Sequence, residues 1–315
     1  MAGTYTAAAD LNVSIAGIAL KNPVIAASGT LGYGVEFEDV LSLERLGAFV
    51  TKGLSREPMA GNPPPRVFET AAGMLNAIGL QNIGAQAFVR EKLPHLNRLK
   101  NVVVIANVFG SCREDYQETI RILNDSEGIA AYELNVSCPN TKRGGLVFAT
   151  HPELLDEVTA AAKRVASASG RPLIVKLSPN VTDIAGMARV AENAGADAIS
   201  LVNTFLAMAI DPETRKPRIA NLTAGLSGPA IKPIAVRMVW EAARAVGVPV
   251  VGMGGIAGAE DAVEFMLAGA SAVEVGTASF WDPRAAEHIV RDLERWCVQH
   301  RVARVSELTR GMAET

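Results

Sequence analysis

The stretch Val250-Val251-Gly252-Met253-Gly254-Gly255-Ile256-Ala257 admits two folds, and the choice between them governs the rest of the chain. An apolar strand runs into glycines and then into a helical pattern. It formally matches GxGxxG/A, with Glu274 roughly 20 residues downstream, as in a dinucleotide-binding turn. A unit of that kind starting here needs further strands, and only about 40 residues follow Glu274. In the other reading these glycines follow the seventh strand of a barrel, and Gly276-Thr277 follow the eighth. Loops after strands 7 and 8 form the recurrent phosphate site of a (β/α)8 barrel. Two glycine clusters at those places favour a phosphorylated cofactor or substrate. Glycines that merely make tight turns are the plainer alternative.

Working outward, strand candidates fall at 23–27, 48–51, 102–106, 131–136, 172–177, 197–202, 248–252 and 271–275. Their runs are mostly apolar on both faces, as parallel strands covered on both sides require. Helical patterns lie between them. Thr150-His151-Pro152-Glu153 reads as a capping box ahead of Leu154, Leu155, Val158, Ala161, Ala162 and Val165. Asp282-Pro283 reads as the cap of a last helix. Leu46-Gly47-Ala48, Ala194-Gly195-Ala196 and Ala268-Gly269-Ala270 repeat one short pattern at helix-to-strand turns, where glycine suits a left-handed helix terminus. Eight units of roughly 35 to 40 residues predict an α/β chain folded as a (β/α)8 barrel, with a doubly wound open sheet as the main rival. A short hairpin precedes the barrel within 12–27, and long connections follow strands 2 and 6, at about 53–83 and 203–228. Loops of that length in a compact domain are usually functional, and both fall on the face where barrel active sites lie. The expected organisation is a flexible start over 1–10, one domain over 11–300 and a tail over 301–315.

Of the 315 residues, 49% are hydrophobic and 20% charged, with a formal net charge of −3. That balance gives no electrostatic reason to expect nucleic acid, and no apolar run approaches the roughly 18 to 20 residues of a membrane span. The start, MAGTYTAAAD, lacks the features of a signal peptide. Cys112, Cys138 and Cys297 form neither a CxxC nor an even framework, so a reducing cytoplasm is expected and a metal or cluster held by this chain is not.

Lys52 and Lys176 stand among apolar strand residues, where a charge is costly unless an anion meets it. Pairing with a protein carboxylate is the alternative for either one. Asn107, Asn135 and Asn203 end strands, and Asn76 sits in the first long loop; together they suit a flat heterocycle with alternating N–H and C=O groups. Singly, each would read as a turn or cap residue. Cys297 falls on an apolar helical stripe and reads as packing. Cys112 opens a helix, whose dipole would lower its pKa. Cys138 follows a strand in AYELNVSCPN, between Asn135 and Asn140. None of the four histidines, His95, His151, His288 and His300, ends a strand, so the thiol suits a general base better than an acyl nucleophile.

The segments NAIGLQN, NVSCPNTKRGG, VKLSPNVTDI, LSGPAIKP and GMGGI resemble class 1 dihydroorotate dehydrogenase, from about residue 11 to 295. KLSPNVTDI, and RGG shortly after the cysteine, resemble the 1B subtype. The resemblance implies FMN and the oxidation of dihydroorotate to orotate in pyrimidine synthesis. Cys138 would take the C5 proton while hydride passes from C6 to the flavin. A thiol titrates above neutrality, so activity should rise toward alkaline pH. The resemblance assigns substrate contacts to Lys52, Asn76, Ala77, Ile78, Gly79, Leu80, Asn135, Asn203 and Thr204. It assigns FMN contacts to Ser28, Lys52, Gly53, Asn107, Asn135, Lys176, Val202, Gly228, Gly254, Gly255, Gly276 and Thr277. It further implies a homodimer core within a heterotetramer, whose electron-transfer subunit carries FAD and a [2Fe–2S] cluster and passes electrons to NAD+. The rivals are a fumarate-linked 1A-type enzyme, a flavoprotein like the FMN domain of dihydropyrimidine dehydrogenase, and a non-catalytic phospholigand-binding barrel.

Overall fold

Eight short runs pair in parallel and close on themselves in chain order: Val24–Ala26, Ala48–Val50, Val104–Val108, Ala131–Asn135, Leu173–Lys176, Ala198–Leu201, Val250–Met253 and Ala272–Val275. They are numbered first to eighth below. The computed structural model describes residues 8–137 and 148–313. The eighth strand pairs with the first, Val273 opposite Val24, so no strand of the barrel has a free edge. Helices such as Pro152–Ala166 and Ala285–Gln299 wrap the outside, the former burying Leu155, Val158, Ala162 and Ala166 on one face. This is the (β/α)8 barrel that the strand spacing predicts.

The inward faces of the strands are divided along their length. Ile25, Val50, Ile105, Ala131, Ile174, Ala198, Val251 and Ala272 form one buried cluster at the N-terminal end. The antiparallel hairpin of Val13–Ile15 and Ile18–Leu20 closes that end, and Ile15 and Leu20 join the cluster. Burying each of those two side chains contributes roughly 1.5–3 kcal/mol. Side chains alternate along a strand, so residues two further on share the inward face. Among those residues Asn107, Glu133, Lys176, Ser200 and Glu274 are polar and buried, and Lys52 is half-buried. An apolar plug therefore supports a polar layer, which faces the C-terminal mouth.

The two long connections are not bare loops. Val67–Thr70 and Gly73–Asn76 from the first pair with Ala224–Ser227 and Phe205–Ala207 from the second in one four-stranded antiparallel sheet. Local patterns do not reveal a pairing between segments so far apart in sequence. At the other end of the chain, Asp10 N–H donates to Ala303 O and Val305 N–H to Asp10 O, at 2.9 and 2.8 Å. Val305 and Leu308 are buried against the helices.

Four local expectations need correction. Gly195 and Gly269 do have positive φ, at 102° and 123°, but Gly47 does not. It is required because a Cβ there would stand 2.0 Å from Asn22 O. The helix over 152–166 has His151 as its N-cap, with no side-chain capping bond, so no capping box forms there. The last helix begins at Ala285, and Asp282 instead accepts from Arg284 N–H and contacts His288 Nδ1. Cys112 does cap the helix Arg113–Asn124, but its pKa is raised rather than lowered. Burial and the nearby Asp115 charge outweigh the Asp115 backbone N–H.

Candidate active site

Lys52 lies two residues beyond the second strand, its N–H donating to Gly32 O at 2.8 Å. It is half-buried and makes no ion pair among the described residues. Burial first, and then the charge of Arg66, depress its pKa; Glu36 pulls weakly the other way. A cation held in that state is prepared for an anion from outside the chain. Next to it, a Cβ on Gly53 would come within 3.0 Å of Asn107 Oδ1 and the Phe109 ring.

Asn107 is fully buried, and its Nδ2 donates to Glu133 Oε2 at 2.6 Å. Its Oδ1 finds no partner among the described residues. A buried acceptor left unmatched in this way marks a place where a ligand N–H fits.

Asn135 ends the fourth strand, and its carbonyl accepts from Tyr116 OH at 2.9 Å. Its Oδ1 accepts from Asn203 Nδ2 at 3.3 Å and Ser137 N–H at 3.2 Å. Asn203 Oδ1 in turn accepts from Thr204 N–H at 2.8 Å. Thr204 packs on Gly225, whose Cβ would lie 2.2 Å from its Oγ1, and Gly225 pairs with Asn76. The small sheet thus brings Asn76 to the amides at the strand ends. Ala77, Ile78, Gly79 and Leu80 continue from it, shaped by Asn62: Asn62 N–H donates to Ile78 O and Nδ2 to Ala77 O, both at 2.9 Å.

A second group of predicted residues converges between the seventh and eighth strands. Gly254 and Gly255 have φ of 123° and 82°. A Cβ on Gly255 would lie 2.8 Å from Gly228 O, and one on Gly228 3.4 Å from Thr277 Cγ2. Val202 N–H donates to Met253 O at 3.0 Å, and Gly276 sits beside Ala27 and Thr30, which flank Ser28-Gly29 in the chain. Consecutive glycines of positive φ at a strand end leave backbone N–H groups uncovered and form an anion cradle. With the unmatched Asn107 acceptor and Lys52, these donors fit the FMN that the sequence resemblance implies, which combines a phosphate with a ring of alternating donors and acceptors. Gly255→Ala forces a side chain into positive φ and against Gly228 O, costing about 1–3 kcal/mol. If FMN is the ligand, as the resemblance implies, its affinity measured by fluorescence titration should fall about tenfold or more in this variant.

Lys176 ends the fifth strand and points into the barrel, but the chain itself supplies its counter-charge. Nζ lies 3.5 Å from Glu133 Oε2 and 3.4 Å from Glu274 Oε2. Both carboxylates escaped the sequence reading as site residues, Glu274 having been weighed only as part of a dinucleotide motif. The signal was present: Glu133 in AYELN is as anomalous in an apolar strand as Lys176 in LIVKL. Arg66 and Asn62 were also missed. Cys138 lies outside the described residues, as does Asn140. Of the histidines, His288 pairs with Asp282 and His300 stacks on Trp296, both on the last helix.

A closed barrel with amides, a lysine and a glycine cradle at its C-terminal mouth defines a ligand-binding barrel of the enzymatic kind. The family model described as dihydroorotate dehydrogenase matches residues 10–296, and the chain belongs to that family. A protein of Solibacter usitatus (strain Ellin6076), called putative dihydroorotate dehydrogenase A (fumarate), is 62% identical over 298 residues, 95% of this chain and 97% of its own. Proteins called dihydroorotate dehydrogenase B (NAD(+)), catalytic subunit, are similar over the same shares. That of Pelobacter propionicus (strain DSM 2379 / NBRC 103807 / OttBd1) is 57% identical over 299 residues, and that of Geotalea uraniireducens (strain Rf4) 56%.

Proposed function

We propose that this chain is the catalytic subunit of an NAD+-linked dihydroorotate dehydrogenase, oxidising (S)-dihydroorotate to orotate in pyrimidine synthesis with FMN as its resident cofactor. The observation that carries the reading is a half-buried Lys52 with no ion pair among the described residues, two residues past the end of the second strand, in a barrel whose fourth- and sixth-strand ends carry the Asn135–Asn203–Thr204 chain and whose sequence is matched to the family from residue 10 to 296. Lys52 would meet the substrate carboxylate, while Asn76 to Leu80, Asn135, Asn203 and Thr204 would hold the ring's amide edges. Gly228, Gly254, Gly255, Gly276 and Thr277 would hold the cofactor phosphate; Ser28, Lys52, Gly53, Asn107, Asn135, Lys176 and Val202 would hold its ring and ribityl chain. FMN, when bound, supplies the two-electron acceptor. Cys138, three residues beyond the fourth strand, would take the C5 proton. Residues 11–300 would act as one domain.

Under this reading, electrons leave through a second protein carrying FAD and a [2Fe–2S] cluster, around a homodimer core of this chain. The naming of several relatives as catalytic subunits supports such a partner. Among the described residues, no helix is long and apolar enough to cross a membrane. Free Cys112 and Cys297 suit a reducing cytoplasm, burial pushing Cys297 up to about 11. A second reading, reoxidation by fumarate without a partner, is favoured by the name of the Solibacter relative.

One anaerobic experiment separates them. The purified chain is expected to bind FMN and to lose its flavin absorption on adding dihydroorotate. NAD+ should restore the absorption only with the partner present, and fumarate should not. Restoration by fumarate alone selects the second reading, and a chain that takes up no FMN defeats both.

A further inference from the structure

Lys176, Glu133 and Glu274 are 6%, 0% and 2% exposed, and apart from Glu287 they are the buried charged side chains among the described residues. Glu287 lies elsewhere, on the last helix against Ser42 and Arg284. Among the described residues, Asn107 and Ser200 beside the cluster are neutral; Lys52, two residues beyond Val50 on the second strand, is the further cation at this level, and its electrostatic partners are Arg66 and Glu36 rather than the two carboxyls. Glu133 is well solvated by the protein, accepting from Asn107 Nδ2 at 2.6 Å and Ser200 Oγ at 2.8 Å, with Lys176 alongside. Among the described residues, Glu274 has only Lys176 Nζ, at 3.4 Å, and the Glu133 carboxyl itself. One cation facing two carboxylates in a dry interior leaves an unbalanced negative charge unless one carboxylate is protonated.

We propose that Glu133 and Glu274 hold a single proton between them, Glu133 as the ionised member and Glu274 as the neutral acid donating to it. The resulting neutral unit positions the Lys176 charge at the cofactor end of the barrel. The directions of titration agree with this geometry. Burial first, and then the Glu133 charge, push Glu274 well above the usual carboxylate range, against the pull of Lys176. Burial also works to raise Glu133, but Lys176 and the bonds from Glu274, Ser200 and Asn107 hold it low. Burial works to lower Lys176, and the two carboxyls more than offset it. The positioning role rests on the FMN reading; the shared proton does not.

Infrared spectra compared in H2O and D2O test the proton, on the flavoprotein and on the stripped chain alike. One band of a buried carboxylic acid is expected at neutral pH, and Glu274→Gln should abolish it. No band in the wild type, or a band surviving that substitution, overturns the proposal. Stability gives an independent readout. A raised folded pKa means that the contribution is complete below the unfolded glutamate range and is lost as pH climbs toward the folded value. The wild-type unfolding constant should therefore rise by up to about tenfold per pH unit across that window, relative to Glu274→Gln. A ratio independent of pH counts against the proposal.

For the positioning role, Glu274→Gln preserves the charge count, so FMN affinity should stay within about threefold and the flavin potential unchanged. Glu133→Gln/Glu274→Gln leaves the lysine buried and unpaired and should weaken FMN about 100-fold or more. Where that double variant fails to fold, Glu274→Lys on the wild-type Glu133 background supplies the contrast, adding charge where the amide does not. An FMN affinity and potential indifferent to all of these overturn the positioning role while leaving the infrared result to decide the proton. If FMN does not bind at all, the functional reading fails instead, and the stripped chain still reports the proton.

Discussion

Replacing Cys138 by alanine is expected to leave FMN binding intact and to slow dihydroorotate-dependent flavin bleaching by about 10²- to 10⁴-fold, the usual worth of a positioned general base. The described residues define the chain up to Ser137, one residue before Cys138. Tyr116 OH donates to the Asn135 carbonyl and Ser137 N–H donates to Asn135 Oδ1, so the backbone is held as far as Ser137. The same Asn135 Oδ1 accepts from Asn203, one of the amides proposed to hold the substrate ring. His288 is engaged with Asp282 and His300 with Trp296, His95 lies on the helix Leu93–Leu96, and His151 caps the helix Pro152–Ala166, so none of the four stands at the end of a barrel strand. Wild-type bleaching should rise as the thiol ionises toward alkaline pH, and the residual rate of Cys138→Ala should lose that rise. Stopped-flow bleaching across pH measures both. Near wild-type bleaching by the alanine variant would remove Cys138 from the chemistry.

The barrel was legible because its strands are short apolar runs, spaced regularly and separated by amphipathic patterns. Polar residues inside those runs carried the rest. Asn107 was taken to end a strand, whereas the third strand runs Val104–Val108 and Asn107 sits within it, buried. The boundary moved because an amide on the inward face of a barrel is satisfied by Glu133, a partner brought up by the neighbouring strand. Lys176 shows the limit from the other side. Its isolation in the sequence suggested a ligand anion, but the eighth strand supplies Glu274 from 98 residues away. The sheet built from the two long connections was illegible for a similar reason: antiparallel pairing of Asn76 with Gly225 depends on the barrel having already brought both ends together. Gly47 was right for the wrong cause, since a carbonyl of Asn22, not a left-handed φ, excludes a side chain there.

Lys52→Met is expected to separate stability from function more sharply than any other substitution in the mouth. Removing one partner of a desolvated charge pair costs about 3 to 4 kcal/mol of binding. KM for dihydroorotate should accordingly rise about 10²- to 10³-fold, with the flavin still bound and reducible by dithionite. In the ligand-free chain the same lysine is a liability, half-buried, facing Arg66 and paired with no carboxylate among the described residues. Methionine, of similar shape and no charge, should raise the unfolding free energy by about 0.5–2 kcal/mol. The pH dependence follows from the depressed pKa. Below the folded pKa the charged lysine costs stability; that cost disappears as pH climbs from the folded value toward the ordinary lysine range. Wild-type stability relative to Lys52→Met should therefore recover across that alkaline window. Substrate affinity should move the opposite way, because a lysine that loses its proton no longer meets a carboxylate. The alkaline rise from Cys138 and the alkaline fall from Lys52 together make kcat/KM bell-shaped, with the falling limb set below the ordinary lysine range. A KM for Lys52→Met within about threefold of wild type would take Lys52 out of carboxylate recognition.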